Sequence, residues 1–428
     1  MKFIPSADQP VSAELLREIR GKLAAAFERL KGEENRRDYS RPESFVSLVA
    51  DDEIFEKVQS AAAALCNTTL KYLFVVGIGG ANLAVRALVD ACSDEGAEPQ
   101  VVFLDTLGVV SDDELERIVA TVATPDEFLV VIASKSGKTI ETITNAQRLT
   151  SLLEKKFGDV ARRLCAITVK NSSLGEHALA HNITLLAVPA SLSDRFGAFS
   201  PMTLFPAAAA GIDLDSYRAG GLAMLSQCLG SLDETNPAFL SALGINFEYS
   251  QGKHILDIFL FSPRLESLGK WYRQLSAESL GRELATGEGM SRLGFTPTVS
   301  IGTTDLHSML QLNLAGPRER FTHFVFPEKL EGEALPDSAA LGNLDDVYAG
   351  KTSSQIMEAV YESVKESYHK SGLPFAQIIL PNISPHSLGE FFVFKMIEVF
   401  FLGVLWGVDV FEQPNVEEYK ERARKLLG

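Results

Sequence analysis

A cluster of hydroxyl side chains follows an apolar run in the first third of the sequence. The segment SKSGKTIET, residues 134–142, comes directly after the predicted strand Phe128–Ala133 and opens a predicted helix. Its hydroxyl groups belong to Ser134, Ser136, Thr139 and Thr142. Hydroxyls and free amides at a helix N-terminus favour a phosphate-sized anion, the alternative being an ordinary helix cap. A nucleotide P-loop is not predicted, because that motif needs a glycine where Ile132 stands.

A glycine-rich turn, Gly77-Ile78-Gly79-Gly80, follows an earlier predicted strand and suits close approach of backbone amides to an anion. The dinucleotide fingerprint requires a third glycine where Asn82 stands, and Asp105 would have to bind the ribose. The match is incomplete. A structural tight turn and a nucleotide-dependent oxidoreductase remain the alternatives, and Asn82 disfavours the second.

Glu278 is the candidate general base, because its spacing places a carboxylate on an apolar helical face. The other members of this face are Leu268, Trp271, Tyr272, Leu275 and Ser279. Burial would raise the pKa of Glu278, as a base working near neutrality requires. The alternative is a helix-end carboxylate that reaches water or pairs with Arg273 or Arg282.

Three basic residues lie where they could assist such a base. His307 falls in the first turn of a helix, predicted to start with a threonine cap, at the carboxyl end of the strand ending at Ile301. Lys420 shares the apolar face of a predicted C-terminal helix, and Arg195 follows the strand Thr184–Val188 by a short loop. The alternatives are a histidine satisfied in the core or at the surface and a snorkelling lysine.

Neither a metal site nor a disulfide framework is predicted. His177 and His181 are four residues apart and could share a metal, but no nearby acid completes a ligand set. The cysteines are far apart and form no CxxC pair, which is typical of a protein in a reducing cytoplasm.

Charge and hydropathy exclude two classes of partner. The 428 residues include 40 Lys and Arg against 56 Asp and Glu, and this net charge of −16 argues against nucleic acid. The N-terminus has no apolar signal region. The most apolar stretch, Phe391–Val408, is interrupted by Lys395 and Glu398, so it predicts a buried helix and no membrane span.

These residues must be positioned by an α/β fold, because short apolar runs alternate with helix-like segments. The predicted strands are Tyr72–Val76, Val101–Leu104, Phe128–Ala133, Arg163–Val169 and Thr184–Val188, then Ile255–Phe259, Thr298–Ile301, Phe321–Phe326 and Phe375–Leu380. We therefore expect two doubly wound parallel-sheet domains, 1–215 and 216–428. The first seventy residues and the segment after Glu390 are predicted to be helical and to pack across both domains.

Six sequence blocks, in order and spanning most of the chain, resemble the phosphoglucose isomerase family in its shorter bacterial form. They are GIGG (77–80), SKSGKTIET (134–142), DRFGAFSP (194–201), AESLG (277–281), GTTDLHSMLQ (302–311) and VFEQPNVEEYK (410–420). The resemblance implies two sugar-isomerase (SIS-type) domains that interconvert glucose 6-phosphate and fructose 6-phosphate without metal or cofactor.

The resemblance also implies roles for single residues. Glu278 is expected to shuttle a proton between C2 and C1 through a cis-enediol, His307 and Lys420 to open the sugar ring, and Arg195 to steady the enediolate. The substrate-binding residues are expected to be Gly79, Gly80, Ser134, Lys135, Ser136, Lys138, Thr139 and Thr142. The family is dimeric, so His307 is expected to work in the partner subunit's site.

Four positions depart from the family pattern. Ala81 stands in place of a phosphate-binding serine, Lys138 in place of a threonine, Asp194 in place of a glycine and Arg282 in place of a lysine. Lys138 could compensate for the lost hydroxyl, and Asp194 could damp Arg195. Two alternatives stay open: a broader phosphosugar isomerase that accepts mannose 6-phosphate, and a non-catalytic phosphosugar-binding protein. The joint presence of the base and the ring-opening pair argues against the second.

Overall fold

The structure, a computed structural model, describes residues 1–6, 13–94, 96–108, 110–286, 289–330, 334 and 346–427. Its strands are β1 (Lys2–Ile4), β2 (Tyr72–Val76), β3 (Gln100–Leu104), β4 (Phe128–Ala133), β5 (Leu164–Thr168), β6 (Thr184–Ala187), β7 (Ile255–Leu260), β8 (Arg282–Thr286), β9 (Gly289–Leu293), β10 (Thr296–Ile301), β11 (Arg320–Lys329) and β12 (Phe375–Asn382). Its helices are α1 (Ala13–Glu33), α2 (Phe45–Val49), α3 (Asp52–Leu65), α4 (Leu83–Cys92), α5 (Asp112–Thr121), α6 (Ile140–Phe157), α7 (Ser173–Ala180), α8 (Pro201–Ala209), α9 (Leu214–Gly230), α10 (Pro237–Ser250), α11 (Glu266–Leu280), α12 (Thr304–Ser308), α13 (Leu310–Ala315), α14 (Ser353–Lys370), α15 (Pro385–Trp406) and α16 (Glu417–Leu427). Single 3-10 turns at Gly79–Ala81, Asp194–Phe196 and Pro414–Val416 lie near the site described below.

The first sheet is parallel throughout, with the strand order β3-β2-β4-β5-β6. Every residue of β4 is buried, which agrees with its uninterrupted apolar sequence and with cover on both faces of the sheet. The strand order reverses between β2 and β4, and open α/β sheets bind ligands at the carboxyl ends of the strands beside such a reversal. The GIGG and SKSG segments leave these two strands.

The second sheet, in the order β1-β12-β11-β7-β10, winds in the same way through its four parallel strands. Strand β1 adds an antiparallel edge, with Phe3 opposite Ile378. The prediction of a wholly helical N-terminal segment is therefore wrong for residues 2–4. Their partner strand lies more than 370 residues away in sequence, so no local pattern indicates the pairing.

One hydrophobic core joins the two sheets. It includes Leu73 of β2, Ile258 of β7 and Phe392 of α15, and α4 packs against α11 across the junction. Helix α15 is buried over most of its length, as predicted. Its Lys395 is fully buried and donates to Glu398 at 2.6 Å, and burial lowers the pKa of this lysine. Among the described residues, no helix is long and apolar enough to span a membrane.

Candidate active site

The segment 134–139 forms a tight loop between β4 and α6 and positions its own hydroxyls. Gly137 has a positive φ of 65°, and its amide donates to Ser134 Oγ at 3.2 Å. Ser134 Oγ also lies 2.9 Å from Thr139 Oγ1, and the Lys138 amide donates to Ser136 Oγ at 3.2 Å. The hydroxyl groups therefore line a compact loop at the N-terminus of α6.

The start of α6 has the features of an anion site. Thr139, the residue before the helix, forms no side-chain cap, so the first amides of this 18-residue helix are not satisfied by it. Thr142 is 1% exposed, and its hydroxyl finds no hydrogen-bond partner among the residues that the structure describes. A buried hydroxyl beside the positive end of a helix favours a phosphate oxygen.

The GIGG turn is close to two other segments of the site. A Cβ atom on Gly79, whose φ is +61°, would lie 2.6 Å from Gln274 Nε2. A Cβ atom on Gly80 would lie 2.6 Å from the Arg195 amide nitrogen and 2.8 Å from the Asp194 Cβ. Glycine is therefore needed at both positions for the turn, α11 and the 194–196 turn to meet.

Glu278 lies near the C-terminal end of α11 and faces a cleft between the two sheets. Its Oε1 accepts a hydrogen bond from Gln274 Nε2 at 3.2 Å, and 36% of its side chain is exposed. The expected burial on the apolar stripe is therefore wrong, whereas Leu275 and Ser279 are buried as expected. The cleft has a volume of about 610 Å³. Its lining includes Gly79, Asn82, Asp105, Thr106, Lys270, Arg273, Gln274, Ala277 and Glu278.

Arg195, in the turn Asp194–Phe196 that follows the first sheet, contacts the C-terminal segment and Glu278. It is 4% exposed and donates to the carbonyl oxygens of Val410 at 2.6 Å and Glu412 at 3.2 Å. It also donates to Ser279 Oγ at 2.8 Å, and its Nη1 lies 3.8 Å from Glu278 Oε2. Burial lowers the pKa of Arg195 to about 10, so it is still a cation at neutral pH.

Asp194 lies beside Gly80 of the GIGG turn and directly precedes Arg195. Burial raises its pKa to about 6, and the charge of Glu278 adds to the rise. The charges of Lys135, Arg195 and Lys420 act in the opposite direction. Lys135 of the 134–139 loop and Lys420 of α16 thus lie within electrostatic reach of one carboxylate, although they are far apart in sequence.

His307 lies on the short helix α12 at the carboxyl end of β10, as predicted. It is exposed and is not among the described residues that line the Glu278 cleft. Thr303 precedes the helix but makes no side-chain cap. Instead, the Asp305 carboxylate accepts a hydrogen bond from the Ile301 amide at 2.7 Å and fixes the turn into the helix.

Other predicted candidates make contacts of their own. Asp105 accepts hydrogen bonds from Arg86 at 2.5 Å and Asn82 at 3.3 Å, so its carboxylate is already engaged. The rings of His177 and His181 stack with centroids 4.0 Å apart, and the described residues contain no group of three metal-ligating side chains. Lys138 is exposed and lines a different cavity of about 860 Å³ between α6 and α7.

Three residues make contacts near the site that the sequence analysis did not predict. Gln274 lies one helical turn before Glu278, and this spacing is the signal that could have indicated it. Gln413 Oε1 accepts a hydrogen bond from Arg195 at 3.0 Å, and only the fold brings them together. Arg282 donates to the carbonyl oxygens of Asp409, at 2.7 Å, and Glu412, so it binds the C-terminal segment rather than Glu278.

Comparison with known proteins identifies the family. The phosphoglucose isomerase family model matches residues 48–428. A glucose-6-phosphate isomerase of Thermus thermophilus is 30% identical over 432 residues, covering 100% of this chain and 98% of that protein. A probable glucose-6-phosphate isomerase of Haloarcula marismortui is 29% identical over 423 residues, covering 99% and 92%.

Solved structures agree with this assignment. The crystal structure of a hypothetical protein from Thermus thermophilus has a TM-score of 0.89 at 29% identity, with 100% of each chain covered. A glucose-6-phosphate isomerase from Chlamydia trachomatis has a TM-score of 0.76 at 18% identity, covering 99% of this chain and 87% of that one, and shares the fold. The predicted fold class and family are thus confirmed, and the chain belongs to the phosphoglucose isomerase family.

Proposed function

We propose that this protein interconverts glucose 6-phosphate and fructose 6-phosphate by proton transfer to and from Glu278. The observation that carries the proposal is that this carboxylate lines a cleft between the two sheets and pairs with the buried Arg195, 3.8 Å away. Moving a carbonyl between C1 and C2 needs a carboxylate base and a cation near the developing oxyanion. Family membership supports the same reaction.

The phosphate of the substrate binds at the N-terminus of α6. The hydroxyls of Ser134, Ser136, Thr139 and Thr142 and the first helix amides donate to its oxygens, and Lys135 supplies charge. Gly79 and Gly80 let the GIGG turn pack closely against α11 and the 194–196 turn, the two segments that carry Glu278 and Arg195. This arrangement holds the sugar with its reacting end towards Glu278.

Proton transfer then follows on the open-chain sugar. Glu278 takes the proton from C2 of the aldose, and the electron pair of that C–H bond forms the C1–C2 double bond while charge moves to the C1 oxygen. Arg195 stabilises this enediolate. A proton is added to the C1 oxygen, the C2 hydroxyl loses its proton to become the carbonyl, and Glu278 returns its proton to C1, so no redox cofactor is consumed.

Ring opening is assigned to Lys420 and to His307 of the partner subunit in a homodimer. The exposure of His307 and its absence from the described lining of the Glu278 cleft support a role across an interface. The electrostatic influence of Lys420 on Asp194 supports its position near the sugar. We also assign the enzyme to the cytoplasm, because its four cysteines are free thiols.

The activity is tested by incubating purified protein with fructose 6-phosphate in a buffer with a chelator and measuring glucose 6-phosphate. We expect turnover that a chelator does not reduce, because every proposed step uses protein groups. Mannose 6-phosphate in a parallel assay measures substrate breadth. Absence of glucose 6-phosphate formation would refute the proposed function.

The shared site is tested by complementation between two inactive variants. Glu278→Gln and His307→Ala are refolded together, and each mixed dimer then contains one site with both wild-type groups. We expect about a quarter of wild-type activity from random pairing, although neither variant is active alone. Activity no greater than the sum of the separate variants would contradict the placement of His307 in the partner's site.

A further inference from the structure

One face of α11 carries two cations into the cleft that holds Glu278. The residues of this helix that line the cleft are Lys270, Arg273, Gln274, Ala277 and Glu278, and their spacing is that of a single helical stripe. The rise of an α-helix places Arg273 about 7 Å and Lys270 about 12 Å along the axis from Glu278. The cations and the proposed base therefore share one open space of about 610 Å³.

The positive charge of these two side chains is available to a ligand. Arg273 is exposed, and its guanidinium has no hydrogen bond or ion pair within the described part of the chain. Lys270 pairs with Glu266, one turn earlier, at 2.7 Å, and exposed pairs of this kind contribute little to stability. By contrast, the carboxylate of Asp105, which also lines the cleft, accepts a hydrogen bond from Arg86 at 2.5 Å. The uncompensated charge at this end of the cleft is therefore positive.

A buried amide oxygen in the same lining lacks a partner. Asn82 is 1% exposed, and its Nδ2 donates to Asp105 at 3.3 Å, which leaves Oδ1 without a hydrogen-bond partner among the described residues. Gln274 Oε1, on the α11 side of the cleft, is also buried and has no partner in that part of the chain. A ligand hydroxyl that donates to such an oxygen removes the cost of leaving it unpaired. The lining therefore favours a ligand that carries hydroxyl groups as well as negative charge.

The position of this end of the cleft relative to the 134–139 loop sets the length of the ligand. The loop follows β4, the GIGG turn follows the intervening strand β2, and Asp105 and Thr106 follow β3 on the other side. Neighbouring strands are about 4.8 Å apart, so the ends of β3 and β4 are separated by about 10 Å. An extended six-carbon chain with a phosphate at each end spans that distance.

We propose that Lys270 and Arg273 form a second anion subsite, which binds the C1 phosphate of a hexose bisphosphate while the 134–139 loop binds the C6 phosphate. This inference rests on the proposed function, which assigns the C6 phosphate to that loop. A bisphosphate bound in this way covers Glu278, and esterification of its C1 oxygen prevents isomerisation. Hexose bisphosphates are therefore expected to be competitive inhibitors.

The test measures calorimetric binding of glucitol 6-phosphate and glucitol 1,6-bisphosphate to the wild-type protein. Neither compound has a carbonyl group, so neither is converted, and the two differ only by the C1 phosphate. We expect the bisphosphate to bind about tenfold more tightly, because it gains a charge-assisted contact with the guanidinium. Equal affinities, weaker binding of the bisphosphate or absence of binding would overturn the proposal.

Substitutions assign this preference to the two cations. The preference is a ratio of two affinities within one protein, so a general change in the site cancels. We expect Arg273→Gln to reduce it to about twofold and the double variant Lys270→Gln/Arg273→Gln to abolish it. Arg273→Lys, which keeps the charge but not the planar fork, should retain part of it.

Arg264→Gln is the matched control, because it removes an exposed guanidinium just before α11 and outside the described lining of the cleft. We expect it to keep the full preference. A preference that survives in the double variant, or that the control loses to the same extent as Arg273→Gln, would overturn the assignment to Lys270 and Arg273.

The possible failures are distinguishable. A wild type that converts fructose 6-phosphate but binds the two glucitol phosphates equally would refute only the second anion subsite. A wild type that prefers the bisphosphate through Arg273 but forms no glucose 6-phosphate would refute only the proposed reaction.

Discussion

The proposed phosphate loop, residues 134–142, and the proposed proton-transfer centre around Glu278 differ in how the chain builds them. The loop takes its hydroxyls from the contiguous residues 134–142, between a fully buried strand and a long helix. The centre combines Arg195, Glu278 and Lys420 from three distant segments, and Arg195 donates to the carbonyl oxygen of Val410, 215 residues further along the chain. Local sequence therefore builds the proposed phosphate site, whereas tertiary contacts bring together the groups that we propose perform the chemistry.

The largest effect should come from the centre. Glu278→Gln removes the proton acceptor but keeps the shape and the neighbouring contacts, so we expect kcat to fall about 10³-fold with little change in sugar-phosphate affinity. Kinetics with fructose 6-phosphate and calorimetric binding measure the two quantities. Glu266→Gln, at the exposed start of the same helix, is the matched control. A variant that keeps wild-type turnover would exclude Glu278 as the base.

Arg195→Met should damage both chemistry and folding. It removes the cation beside Glu278 and leaves the buried carbonyl of Val410 without its donor, so we expect kcat to fall about 10²-fold and the unfolding free energy to fall by about 3 kcal/mol. Denaturant unfolding measures the second quantity.

Arg218→Met is the control for this variant. Arg218 also donates to a backbone carbonyl, that of Val49, but lies outside the site. We expect it to lower stability while kcat stays at the wild-type value. Equal losses of turnover in the two variants would mean that Arg195 acts through stability alone.

The smallest effect should come from a single hydroxyl of the phosphate loop. Thr142→Val keeps the shape and removes a buried hydroxyl that has no partner within the described chain, so the protein should be at least as stable as the wild type. We expect KM to rise about fivefold with kcat unchanged, because one phosphate contact is lost. Thr150→Val on the same helix, whose hydroxyl bonds to the Ala146 carbonyl, should leave KM unchanged. A fall in melting temperature with no change in KM would contradict a binding role for Thr142.

The sequence predicts the local elements well because their signals are local. Strand β4 has the predicted bounds, since a continuous apolar run between polar segments is typical of a buried parallel strand. Strand β1 is not predicted, because three residues without a turn signal pair with a strand at the far end of the chain. The helical period predicts the face of α11 on which Glu278 lies. It does not predict which part of that face the neighbouring elements leave exposed.

The sequence predicts the hydroxyl loop better than it predicts the contacts of the C-terminal segment. Ser134 and Thr139 lie within hydrogen-bond distance of each other, so the sequence block and the geometry agree on one loop. The C-terminal segment is different, because its contacts with Arg195 and Arg282 form only when segments far apart in the sequence pack together. No pattern within residues 409–413 indicates that guanidinium groups bind their carbonyl oxygens.

Because these guanidinium groups bind main-chain oxygens, the anchor does not depend on which side chain stands at a position such as the exposed Glu412. Substitutions there can accumulate among relatives without moving α16. A one-residue insertion or deletion between Val410 and Lys420 is a different matter, because it would carry the ammonium group out of register with an anchor that stays in place. At positions such as Glu412 the length of the segment therefore matters more than the side chain, whereas Gln413 contributes its own side chain to the anchor.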